Sequence, residues 1–198
     1  LGDIGARKRI GTIWERYSAR QEIPETFNAK FIRSAFPSGH LDLDRELART
    51  LAIVGQGDES LRHELLKKCE NDADPLEAIH YLACLAKIPG ERATGESNAV
   101  ASVLLDLDRR ITKQHLKRDS NWPLRVRELY AALAVRDPAL HRAMVDHSSF
   151  GRPDHALFAT TEGFAKEKAA RAFLARWQRD TEFGLTGGIV ELLESLPS

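Results

Sequence analysis

The chain has 198 residues, 42% hydrophobic and 29% charged, with 29 basic side chains against 29 acidic ones. That balance excludes wholesale disorder and a collagen-like fibre and supports a single domain over 1–198 with a sizeable core. No apolar run approaches the roughly 18 residues of a membrane span, and no signal-peptide pattern opens the sequence, so no membrane insertion is expected.

Charge is unevenly spread, at +3 over residues 1–40, −7 over 41–108 and +4 over 109–198. A neutral total argues against a protein whose main task is gripping phosphate backbones, since that needs net positive potential. The acidic middle is expected to be solvated helix surface.

The apolar spacing is helical almost throughout, and Ala, Leu, Arg and Glu outweigh Val and Ile. Helices are predicted near 3–20, 26–36, 42–54, 58–71, 75–88, 96–116, 123–136, 138–147, 162–179 and 186–196. Ile10, Ile13, Trp14 and Tyr17 lay one stripe on the first. After the second comes Pro37-Ser38-Gly39-His40, the central tetrapeptide of acid- and lipid-phosphatase enzymes. That family also needs a Lys/Arg clamp upstream and a Ser-Arg…His segment downstream. Neither is present, so the tetrapeptide is expected to be a loop between helices. Gly55-Gln56-Gly57 and Pro89-Gly90 are stops. Asp74-Pro75-Leu76-Glu77 spells an N-cap, a first-turn proline and a glutamate at the third position, a reinforced capping box. Val100, Val103, Leu104, Leu107 and Ile111 stripe the sixth helix. Val126, Leu129, Tyr130 and Leu133 stripe the seventh. Asp137-Pro138 starts the eighth. Residues 148–160, with Gly151 and Pro153, are predicted to be irregular, and Ile189, Leu192, Leu193 and Leu196 stripe the last helix.

Chemistry is sparse in this pattern. Cys69 and Cys84 form no C-x-x-C pair and are expected as buried free thiols. Gly184-Leu185-Thr186-Gly187-Gly188 lacks the lysine and spacing of a phosphate loop, and no G-x-S-x-G nucleophile signature occurs. No catalytic residue, metal site or cofactor is assigned. Asp146-His147 and Asp154-His155 could together hold a divalent ion, but they lack a further histidine at helical spacing. The simpler expectation is that His147 complements a helix C-terminus. Glu77, His80 and Cys84 share a helix face with no clear third and fourth ligand. The densest basic stretch is Arg109, Arg110, Lys113, Lys117, Arg118, Arg125 and Arg127, with Trp122 in its midst. Arg110, Lys113 and Lys117 are expected on one face. If the chain has a binding face, it is assigned to Arg109, Arg110, Lys113, Lys117, Trp122 and Arg125.

Three predicted helices look related. Glu46–Gly55, Ala78–Ala86 and Arg127–Ala134 each interleave Ala with two large apolar residues, at offsets of 31 residues (Leu51 to Leu82) and 47 (Leu82 to Leu129). Helix pairs recurring at such periods point to an α-solenoid. Trp122-Pro123-Leu124-Arg125-Val126-Arg127-Glu128-Leu129-Tyr130-Ala131-Ala132-Leu133 resembles the HEAT-repeat consensus, in which Pro or Asp leads into an Arg-Val-Arg segment and then an Ala/Leu helix. The likeness covers about residues 42–147. Ile79–Leu82, Asp119–Val126 and Gly151–Ala156 are also similar to the HEAT-like region of large exported bacterial proteins that join a dehydrogenase-like propeller to a haem domain.

This resemblance implies an all-α, right-handed stack of antiparallel helix pairs of HEAT/armadillo type. It implies a non-enzymatic interaction module, with a protein or the other domains of a parent chain as partner. The compartment would be outside the cytoplasm if the parent resemblance holds, and the cytoplasm otherwise. A second class, a nucleic-acid binder or DNA-base glycosylase on a HEAT-like scaffold, is imitated only by Asp119 beside Trp122. Nucleic acid is the weaker expectation.

Overall fold

The computed structural model of the chain describes residues 12–18, 22–23, 27–70, 74–194 and 196. Over these residues it is all-α: α1 (Ala29–Ser34), α2 (Leu41–Ile53), α3 (Glu59–Cys69), α4 (Pro75–Lys87), α5 (Thr94–Lys113), α6 (Trp122–Arg136), α7 (Leu140–Asp146), α8 (Ala156–Ala159), α9 (Lys166–Trp177) and α10 (Gly187–Glu194). None of these helices is long and apolar enough to cross a membrane. Within the stretch predicted as a first helix, the described part is one 3₁₀ turn, Ile13–Arg16. The remainder of 3–20 lies outside the described residues.

Side-chain caps mark the starts of α3 and α4, whereas α2, α6, α7, α8 and α9 begin without one. Asp58 accepts from the Leu61 N–H at 2.7 Å, and Asp74 accepts from the Leu76 N–H at 2.7 Å with Pro75 in the first turn. Glu77 does not complete the expected capping box. Arg45 of α2 takes it instead, its Nε 2.6 Å from the Glu77 carboxylate, and the interhelical ion pair wins over the local cap. Glu96 does reach back, accepting the Ala93 N–H at 3.1 Å ahead of α5. Ser38 in the phosphatase-like tetrapeptide gives its N–H and hydroxyl to the buried Asp44 at 2.6 and 2.8 Å, and Asp44 also holds Lys68. The tetrapeptide is a loop tied to the next helix.

The helices pack by alternation. α2, α4, α6, α8 and α10 adjoin in that order, α3, α5, α7 and α9 adjoin likewise, and the two rows touch through pairs such as α3 with α4 and α9 with α10. The three segments that look related in sequence are α2, α4 and α6, neighbours in one row. Their matched leucines, Leu51, Leu82 and Leu129, are 1%, 0% and 0% exposed. Alanines beside them, such as Ala48, Ala52 and Ala83, are buried and let helix axes approach closely.

Two local expectations differ from the structure. Pro153–His155 is a 3₁₀ turn running into α8, where residues 148–160 are predicted to be irregular. The helical run is too short to show a stripe, and what fixes it is the buried His155. α5 ends at Lys113, not at 116, because His115 adopts φ 56° and turns the chain out of the helix.

His155 joins the two rows. Its Nε2–H donates to the Leu105 carbonyl of α5 at 2.9 Å, and its Nδ1 accepts the Gly151 N–H at 3.2 Å. Both nitrogens are committed in the neutral ring, and burial pushes its pKa down to about 4. The unfolded chain therefore binds this proton near pH 6.5 while the folded chain resists it until about pH 4. The contribution is complete above about pH 6.5 and is lost progressively as pH drops below it. Urea unfolding at pH 7, 5.5 and 4 should show a steeper loss for the wild type than for His155→Gln.

Candidate functional site

A cleft of about 530 Å³ opens between the 3₁₀ turn, α4, the end of α5 and the start of α6. Its floor is apolar: Ile79, Ile111, Val126 and Leu129, the last three at most 3% exposed. Trp122, half-buried at the first position of α6, forms one wall. Leu76, in the first turn of α4, stands at the mouth with 61% of its surface exposed. Arg16, Lys117, Arg118 and Arg125 rim the cleft, against Glu15 and Asp119.

The opposite wall is built at long range. The Glu128 carboxylate of α6 accepts the Thr12 hydroxyl at 2.8 Å and the Ile13 N–H at 3.2 Å. Lys87 lies over the Trp14 ring at 5.0 Å, and Arg49 over the Tyr17 ring at 5.8 Å. The Tyr17 hydroxyl donates to His80 Nδ1 at 2.8 Å, while His80 Nε2–H donates to the Arg45 carbonyl at 3.1 Å. Burial holds His80 below the usual imidazole range and raises the Tyr17 phenol well above its own, so both stay neutral.

The cations at the rim are unequal. Arg118 pairs with Asp108 at 2.8 Å and donates to the Asp108 carbonyl and the Thr112 hydroxyl. Arg125 pairs with Asp119 at 3.0 Å, and Asp119 also accepts the Asn121 N–H. Arg16 and Lys117 are exposed.

The six residues assigned from sequence do not form one surface. Lys117, Trp122 and Arg125 line the cleft. Arg109 and Arg110 lie on another groove between α3 and α5, with Glu70, Ala99 and Ser102. Both hold the Asp106 carboxylate, and buried Arg110 also donates to the Cys69 carbonyl at 2.8 Å. Lys113 is exposed at the end of α5 and lines neither. The expected common face of Arg110, Lys113 and Lys117 is absent, because Arg110 points inward and Lys117 lies past the end of the helix. Sequence reasoning missed Arg16, Leu76, Ile79 and Ile111. The Ile13, Trp14, Tyr17 stripe was the available signal for the wall, but nothing in it showed what it faces.

The other constellations are tied into the fold, although among the described residues the buried Glu77 Oε2 has no hydrogen-bond partner. Asp146 is held by Arg142 and Lys168. His147 Nδ1 accepts from the Ser149 hydroxyl and N–H, and Asp154 pairs with Arg152 at 3.2 Å. His80 and Cys84 are core residues, and burial pushes the Cys69 thiol up to about 12. Among the described residues, no group of three or more His, Cys, Asp or Glu is placed to hold a metal ion. Comparison with protein-family models, curated proteins and solved structures gives no match.

Arg110 and Lys117 should separate cleanly. Arg110→Glu should destabilise the fold by about 3–5 kcal/mol, since it buries an uncompensated negative charge beside Asp106 and removes the donor to the Cys69 carbonyl. Lys117→Glu should stay within about 0.5 kcal/mol of wild type in chemical denaturation.

Proposed function

We propose that the chain is a HEAT-like α-solenoid acting as a non-enzymatic protein–protein interaction module. Its cleft takes a partner segment that presents an apolar side chain flanked by carboxylates. The observation that carries this reading is the apolar floor under a rim of four cations and two anions. An apolar anchor would be desolvated beside Trp122, and carboxylates on either side would meet Lys117 and Arg16.

The alternating rows of helices support the solenoid, as does the placement of the related segments as α2, α4 and α6. The HEAT-like stretch Trp122–Leu133 falls within α6, and its first turns border the cleft. The nucleic-acid alternative draws less support. Arg118 and Arg125 already share carboxylates, and the exposed Asp119 is engaged with Arg125 and a turn amide.

Fluorescent 12-residue peptides with one Leu, Phe or Trp among Asp and Glu test this directly. Binding to the wild type should weaken roughly tenfold or more with Trp122→Ala, and Lys117→Glu should lower it further and flatten its salt dependence. Equal binding of basic and acidic peptides would overturn the reading. Salt-sensitive binding of single-stranded DNA without acidic-peptide binding would move the nucleic-acid alternative ahead.

A further inference from the structure

We infer that residues 12–18 form a detachable strap, a ligand carried by the chain itself, whose docking on the α2–α4–α6 row completes the cleft and whose release opens it. Three features carry this. First, the segment crosses three helices of one row: Thr12 and Ile13 on α6 through Glu128, Trp14 at the end of α4 through Lys87, and Tyr17 between α4 and α2 through His80 and Arg49. Second, its attachment is that of a docked peptide. Among the described residues its one backbone–backbone hydrogen bond is internal to the turn, Tyr17 N–H to the Trp14 carbonyl at 3.0 Å, and its hydrogen bonds to the helices pass through side chains. Third, of residues 12–18 only Tyr17 is buried, and its hydroxyl fills the one position where His80 Nδ1 can accept. Ile13 and Trp14 pack against the core only partly buried, and with no backbone–backbone hydrogen bond to the helices among the described residues the segment opens below the free energy of global unfolding.

Ile13, Arg16 and Tyr17 all line the cleft, so undocking removes one of its walls and two of its groups that could meet a ligand. The strap is then the element that regulates the cleft. That regulatory meaning rests on the cleft reading above, whereas the docking itself does not.

The assay uses the full chain and a labelled synthetic peptide of residues 12–18. In the wild type the tethered strap competes at high effective concentration. The peptide should therefore bind Trp14→Ala/Tyr17→Ala chain roughly tenfold or more tighter than wild type. Adding Glu128→Ala to that chain should weaken peptide binding again, because the seat for Thr12 and Ile13 is gone. Equal binding to both chains, or none to either, overturns the proposal. Hydrogen exchange on the wild type decides it independently of whether the double variant folds. The Ile13 and Tyr17 amides should exchange roughly a hundredfold or more faster than the amides of α4, and exchange together with α4 overturns the strap. A failed cleft reading shows itself elsewhere, as acidic-peptide binding that ignores Trp122→Ala while the strap results stand.

Discussion

A helix packed between neighbours leaves backbone carbonyls near its end and in the following loop without water, and in this chain arginine side chains reach many of them from the adjoining layer. Arg110 of α5 reaches the Cys69 carbonyl that ends α3. Arg62 of α3 donates to the Pro89 and Glu91 carbonyls between α4 and α5 while pairing with Glu96 at 3.0 Å. Arg92 covers the Leu85 and Ile88 carbonyls at the end of α4, and Arg176 of α9 covers those of Ser148 and Phe150. Each bond couples one helix end to another element and fixes how far the two are offset. The row geometry, and hence the gap that becomes the cleft, depends on these guanidinium groups as much as on the leucine core.

The basic stretch of sequence is partly drawn into the fold's own contacts, although Arg109, Lys113, Lys117 and Arg118 stay exposed. Arg110 is spent on a carbonyl and on Asp106. Arg118 is held at Asp108, and Arg125 at Asp119. What is left exposed at the rim is small in charge and set over an apolar floor. That combination favours a mixed apolar and acidic segment over a polyanion.

Much of the helical framework was legible because the apolar stripes are regular. α2, α4 and α6 begin and end within one or two residues of the spacing-based expectation, and the Asp74-Pro75 start is visible residue by residue. Kinship between segments proved informative about position, since the three similar stretches are neighbours in one row. The cleft was half visible. Lys117, Trp122 and Arg125 are close in sequence, so a local reading finds them. Ile13 and Arg16 are over a hundred residues away, and only the fold brings them opposite. The misassigned face of α5 has two causes: Arg110 turns inward to Asp106 and the Cys69 carbonyl, and the left-handed His115 ends the helix before Lys117, which a histidine does not announce in a sequence. α8 escaped because four residues are too few to set a period.

Apart from the strap, the packing is between helices close in sequence, each touching partners one or two elements away. Packing of that kind keeps contact order low. The hydrogen bond from Thr12 to Glu128 spans 116 positions and breaks that pattern. While the strap is docked, the stretch from the 3₁₀ turn through α6 is joined at its two ends by this side-chain bond. When the strap lets go, the same stretch is left to the sequential neighbour contacts that α5 continues into α7.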